Sequence, residues 1–160
     1  MPAGNTYEAI FTETASAVSS VTFSSIPSTY TDLVCIVQAA NSTNTDLGIR
    51  FNGDTASNYS VTLLVGNGSS ATSTRYSSQN EIYLDITGTQ TGQMTYIVNV
   101  QNYSNATTYK TTLTRYSNAG VAAEASVGLW RSTAAINSVT IKNGAGTFTG
   151  QVTLYGILAA

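Results

Sequence analysis

Along this chain apolar and polar residues alternate with a period of two, and no segment sustains the 3.6-residue apolar stripe of a surface helix. The alternation predicts strands over 6–13, 18–24, 31–39, 47–52, 59–65, 79–87, 93–101, 109–117, 121–131, 136–143 and 148–157. Leu47, Ile49 and Phe51 share one strand face, as do Ile82, Leu84 and Ile86, and Met94, Tyr96, Val98 and Val100. These three sets are the expected core. Segment 121–131 contains VAAEAS, which is Ala-rich enough to wind a helical turn, but Val127, Leu129 and Trp130 favour an extended end. So many strands and no helix predict two packed sheets or a closed barrel.

Turn chemistry separates the strands. Asn52-Gly53 follows LGIRF directly, and Asn67-Gly68 and Asn143-Gly144 repeat a dipeptide that supplies positive φ values to tight turns. Pro27 falls between two predicted strands, where a missing backbone donor does little harm.

Composition narrows the chemistry. Of 160 residues, 45 are Ser or Thr, 9% are charged, and there is no histidine. The side chain that most often moves protons near neutral pH is therefore missing, and the reading is of a non-enzymatic protein with no cofactor and no metal. A chain of this length buries about 70% of its unfolded surface without disulfides or metals, so one domain over 1–160 is expected. The single cysteine, Cys35, lies in the apolar run LVCIV and reads as a packing residue. Six dispersed basic residues and a net charge of −2 argue against nucleic acid as a partner. The N-terminal stretch MPAGNTYEAIFTE has neither the basic nor the apolar region of a secretion leader, and no apolar run reaches the ~20 residues of a membrane helix. Synthesis and folding in a cytoplasm, with no membrane partner, are expected.

Acidic residues invite closer reading. Glu81 and Asp85 are four apart on a predicted strand and so share a face with Tyr83, which reads as a solvated or interface-facing acidic row. Asp46 and Asp54 flank LGIRFNG at a spacing that matches no established calcium loop.

The ten tyrosines carry more information, because Tyr supplies large amphipathic contact area at low entropic cost. Tyr59, Tyr76, Tyr103, Tyr109 and Tyr116 sit at predicted strand ends or turns, and the hydroxyl-rich stretch 66–78 reads as an exposed contact loop. The candidate interface is therefore Tyr59, Ser69, Ser70, Thr72, Ser73, Thr74, Arg75, Tyr76, Tyr103, Tyr109 and Tyr116.

Residues 18–34 (VSSVTFSSIPSTYTDLV), 49–60 (IRFNGDTASNYS), 128–141 (GLWRSTAAINSVTI) and 152–157 (VTLYGI) together resemble a family of small β-domains encoded by tailed bacteriophages. SIPSTYTDL followed by IRFNGD is the most specific element of that likeness. The resemblance implies an all-β, antiparallel β-sandwich of jelly-roll type that serves as a virion structural protein, with no catalytic residue. It further implies a homotrimer exposed on the phage particle, either as a capsid decoration (cement) protein bound to the major capsid protein or as a tail-fibre module meeting host surface glycans. The absence of a fibrous repeat or coiled-coil stalk favours decoration.

Overall fold

In the computed structural model, which describes residues 6–87 and 92–158, every regular element is a β-strand. Residues 1–5, part of the stretch read for a leader, lie outside the described residues. The strands are β1 (Tyr7–Val18), β2 (Ser20–Ser24), β3 (Asp32–Asn41), β4 (Leu47–Phe51), β5 (Tyr59–Gly66), β6 (Ala71–Gln79), β7 (Ile82–Tyr83), β8 (Met94–Gln101), β9 (Lys110–Asn118), β10 (Ala122–Trp130), β11 (Ser138–Asn143) and β12 (Phe148–Ile157). They form two antiparallel sheets: eight strands in the order β1-β12-β3-β8-β9-β10-β5-β6, and four in the order β2-β11-β4-β7.

The core lies between the sheets and follows the predicted alternation. Leu47, Ile49, Phe51, Ile82, Leu84, Met94, Tyr96, Val98 and Val100 are all buried, with Ile86 packed at the margin. Residues 122–130 are strand throughout, with Ala122, Glu124, Ser126, Gly128 and Trp130 turned inward. Cys35 is fully buried among apolar neighbours, and burial pushes its thiol up to about 12, so it stays a protonated packing group.

The turn signals are used unequally. Asn52 (φ 54°) and Gly53 (φ 66°) take the left-handed values that an Asn-Gly turn supplies. The Asn52 side chain then fixes that turn to the start of β11, accepting from the amides of Asn137 (2.9 Å) and Ser138 (3.2 Å) and donating to Ala135 O (2.8 Å). At Asn67-Gly68 only the glycine is left-handed, and at Asn143-Gly144 neither residue is. Asn143 instead ends β11 as a buried residue whose Oδ1 accepts from the Ala145 amide.

Three segments depart from the expected elements. The first strand, expected over 6–13, runs on to Val18, and β2 begins at Ser20. Residues 79–87 do not run as one strand: Gln79 ends β6 opposite Tyr59, and of the rest only Ile82 and Tyr83 pair, with Ile49 and Gly48 of β4. Beyond Tyr83 the chain bridges the two sheets, with Leu84 N donating to Leu47 O (2.9 Å) and Ile86 N to the Glu124 carboxylate (3.2 Å) on β10. The stretch 66–78 is not a loop. Asn67–Ser70 make a tight turn, and Ala71–Gln79 form β6, the outer edge of the large sheet.

Candidate interaction surface

Three of the candidate contact tyrosines belong to the core. Tyr59, Tyr103 and Tyr116 are buried: each ring packs inward, and the Tyr59 and Tyr103 hydroxyls bond backbone at the end of β4 and in the loop before β3. Tyr59 stacks on Trp130 at 6.2 Å; its hydroxyl accepts from Phe51 N (3.1 Å) and faces the carbonyls of Phe51 and Asp54. Trp130 in turn donates to Asp54 Oδ2 (2.7 Å), so an aromatic pair and one carboxylate close this end of the molecule. The Tyr103 hydroxyl donates to Pro27 O and accepts from Tyr30 N (3.4 Å), fixing the loop that carries SIPSTY. Tyr116 packs against Tyr96 at 5.0 Å.

The remaining candidates are accessible but do not form one cluster. Ser69 and Ser70 lie at the turn tip, where Asn67 Oδ1 accepts from both of their amides (3.0 and 2.8 Å). Thr72, Ser73 and Arg75 are exposed on β6, and Thr74 and Tyr76 are half-buried, with Tyr76 edge-on to Tyr83. Tyr109 is 55% exposed but lies at the other end of the sheet, next to the Lys110–Trp130 pair, whereas the Asn67 turn adjoins the Gly66–Ala123 pair.

What sequence reasoning missed is the outer face of the eight-stranded sheet. Leu64, Ala125, Arg115, Ile97 and Ile36 stand side by side on β5, β10, β9, β8 and β3, with Val127 and Leu113 in the next row. Leu64 is 61% exposed, Val127 52% and Leu113 44%. Two adjoining depressions, of about 790 and about 520 Å³, open over these side chains. Seven strand spacings of about 4.8 Å make the sheet about 34 Å wide. Its middle strands, β5, β10, β9 and β8, carry a single charge on this face, Arg115. Exposed Leu and Val side chains spread over neighbouring strands with a single charge make this face a candidate for contact with another protein. The signal was present in the sequence as Leu and Val at the outward positions of 59–65, 109–117 and 121–131, but alternation alone does not reveal that such positions adjoin across four strands.

The acidic residues 81 and 85 are not a solvated row. Glu81 is buried over Gly48, where a Cβ would stand 2.8 Å from its carboxyl carbon, and is held by Lys142 (2.9 Å) and Arg50 (3.4 Å). Asp85 is 0% exposed, and its Oδ1 accepts from Leu47 N (3.0 Å). Burial, with further repulsion from Asp46 and Glu124, pushes the Asp85 carboxyl up to about 8, so it carries a proton at neutral pH. Burial raises Glu124 also, while hydrogen bonds from Thr87 and Ile86 draw it back. Among the described residues no group of three or more His, Cys, Asp or Glu side chains is arranged to hold a metal ion. Among the described residues no helix is long and apolar enough to cross a membrane.

The sequence matches no family model and no curated protein.

Proposed function

We propose that this chain is a non-enzymatic structural protein of a bacteriophage virion, exposed on the particle as a capsid decoration protein that stabilises the head by contacts with the major capsid protein. The observation that carries this reading is the outer face of the large sheet. It offers apolar side chains over several strands with almost no charge, which suits broad contact with another protein and leaves little electrostatic cost to crowding many copies on a shell. Many weak contacts made at once then add through effective concentration.

The same reading takes the topology as a jelly roll. Its support is the order β2-β11-β4-β7 in one sheet and the succession β3, β10, β5, β6 in the other, with the β8–β9 hairpin set between β3 and β10 and β12 and β1 added beyond β3. A glycan-binding tail module has less behind it. Sugar sites stack rings on grouped aromatics, whereas here the exposed Tyr7 meets the half-buried Tyr155 edge-on at 6.2 Å and Tyr109 stands apart, on the approach to β9.

The test is the number of copies of this chain per purified particle, measured against the major capsid protein. Hundreds of copies support decoration, a few to a few tens move the protein to the tail, and none overturns the virion reading.

A further inference from the structure

The four sheet edges are not alike. β1 has register shifts between Ala9 and Phe11 and between Ala15 and Val18, and it carries Glu8 and Glu13; bulges and charges are the ordinary means of keeping an edge unpaired. In the small sheet β7 is two residues long and β2 five. β6 has one such guard, and only at its end: a register shift against β5 at Ser77–Ser78, where Ser78 turns left-handed (φ 57°). It runs nine residues without proline, keeps unbroken register with β5 from Ala71 to Tyr76, and bears one charge, Arg75. With β5 on one side only, its outward row of N–H and C=O groups is a template for another strand.

We infer that β6 is the edge through which a second copy of this chain joins the first, the two β6 strands pairing antiparallel about a two-fold axis at Ser73. The strand's own residues favour itself as the occupant. In that register Thr72 lies across from Thr74 and Thr74 across from Thr72, the arrangement in which this fold already bonds hydroxyls across strands at Thr22–Thr140 (2.9 Å) and Thr12–Thr153 (3.3 Å). Each Arg75 meets an Ala71, and the two guanidinium-bearing positions stand about 14 Å apart along the strands, so the only charges on the edge do not oppose one another. The pairing also brings the Leu64 flanks of two outer faces onto one continuous sheet. The inference does not depend on the virion reading.

Light scattering on the purified chain over a range of micromolar concentrations is expected to give about twice 16.7 kDa. Ser73→Cys is expected to form an interchain disulfide on mild oxidation, while Ser69→Cys at the turn tip, far from the axis, does not; the native Cys35 is buried and stays silent. Ser73→Lys places like charges on the axis and is expected to return a single-chain mass with unchanged circular dichroism and a melting temperature that, unlike the parent's, does not depend on concentration. A wild-type mass of one chain or of three, the latter as the phage resemblance implies, overturns the inference. So does equal crosslinking at positions 69 and 73, or a two-chain mass that survives Ser73→Lys.

Discussion

Tyr59 and Asp85 show how one side chain acquires a role that its position in the sequence does not announce. Tyr59 ends a turn and reads as a contact residue, yet its ring is stacked on Trp130 and its oxygen serves Phe51 backbone. An amphipathic ring suits either place, and what decides is whether an unpaired backbone group lies within reach of the hydroxyl. Lys110 is a parallel case: it counts as a surface cation by type, but it is buried, with Nζ donating to the carbonyls of Thr108 (2.7 Å) and Thr133 (3.3 Å), and desolvation lowers its pKa. Asp85 has the clearest consequence. Its carboxyl is raised to about 8 in the fold, against about 3.9 in an unfolded chain, so between those values the folded state keeps a proton that the unfolded state has lost. Stability from this group is fully present below about pH 4 and declines as pH rises toward about 8, at a limiting slope of about 1.4 kcal/mol per pH unit. Asp85→Asn, which mimics the protonated acid and keeps an acceptor for Leu47 N, is expected to flatten that decline. Urea unfolding across this pH range checks it, and a slope unchanged in the variant would show that other carboxyls set the dependence.

At the scale of elements, strands that alternate against a core were legible and the others were not. β2, β3, β4, β5, β8, β9, β10, β11 and β12 fall within two residues of their expected bounds, because one buried face imposes the period. β6 gave no such signal: exposed along most of its length, it needs no apolar residue, and its serines and threonines look like loop. The 79–87 segment failed in the opposite sense. Its expected core residues Ile82 and Leu84 are buried, but so are Glu81 and Asp85, because the backbone is drawn off the sheet by bonds to Leu47 and Glu124. How closely β7 lies on β10 is set by Gly128, where a Cβ would stand 2.4 Å from Thr112 Oγ1 and 2.6 Å from Ile82. Gly128→Ala is therefore expected to cost about 1–3 kcal/mol through overpacking. The urea midpoint measures it, and a loss below about 0.5 kcal/mol would mean that Ile82 gives way freely.

The described residues form two sheets of unequal width, eight strands against four, and the wider sheet presents an apolar face on the side away from the core. Folding does not need that face, which separates stability from attachment. Leu64→Asp and Val127→Asp change exposed positions and are expected to leave the unfolding free energy within about 0.5 kcal/mol of the parent. On the proposed function, the same variants lose binding to assembled phage heads, which sedimentation of particles with the added protein would measure. Binding retained by both variants would remove this face from the contact, whatever the copy number.

The sequence by itself determined the class of fold, the inward face of most strands, the burial of Cys35 and the use of Asn52-Gly53 as a turn, because each follows from local period or local conformation. Only the tertiary structure decided that β6 is a strand and an open edge, that Tyr59, Tyr103 and Tyr116 are interior, that Asp85 keeps its proton, and that Leu64, Val127 and Leu113 share a surface. Those properties depend on neighbours distant along the chain. A residue's exposure, its electrostatic surroundings and the strand across from it are set by the pairing of sheets, to which a period of two is blind.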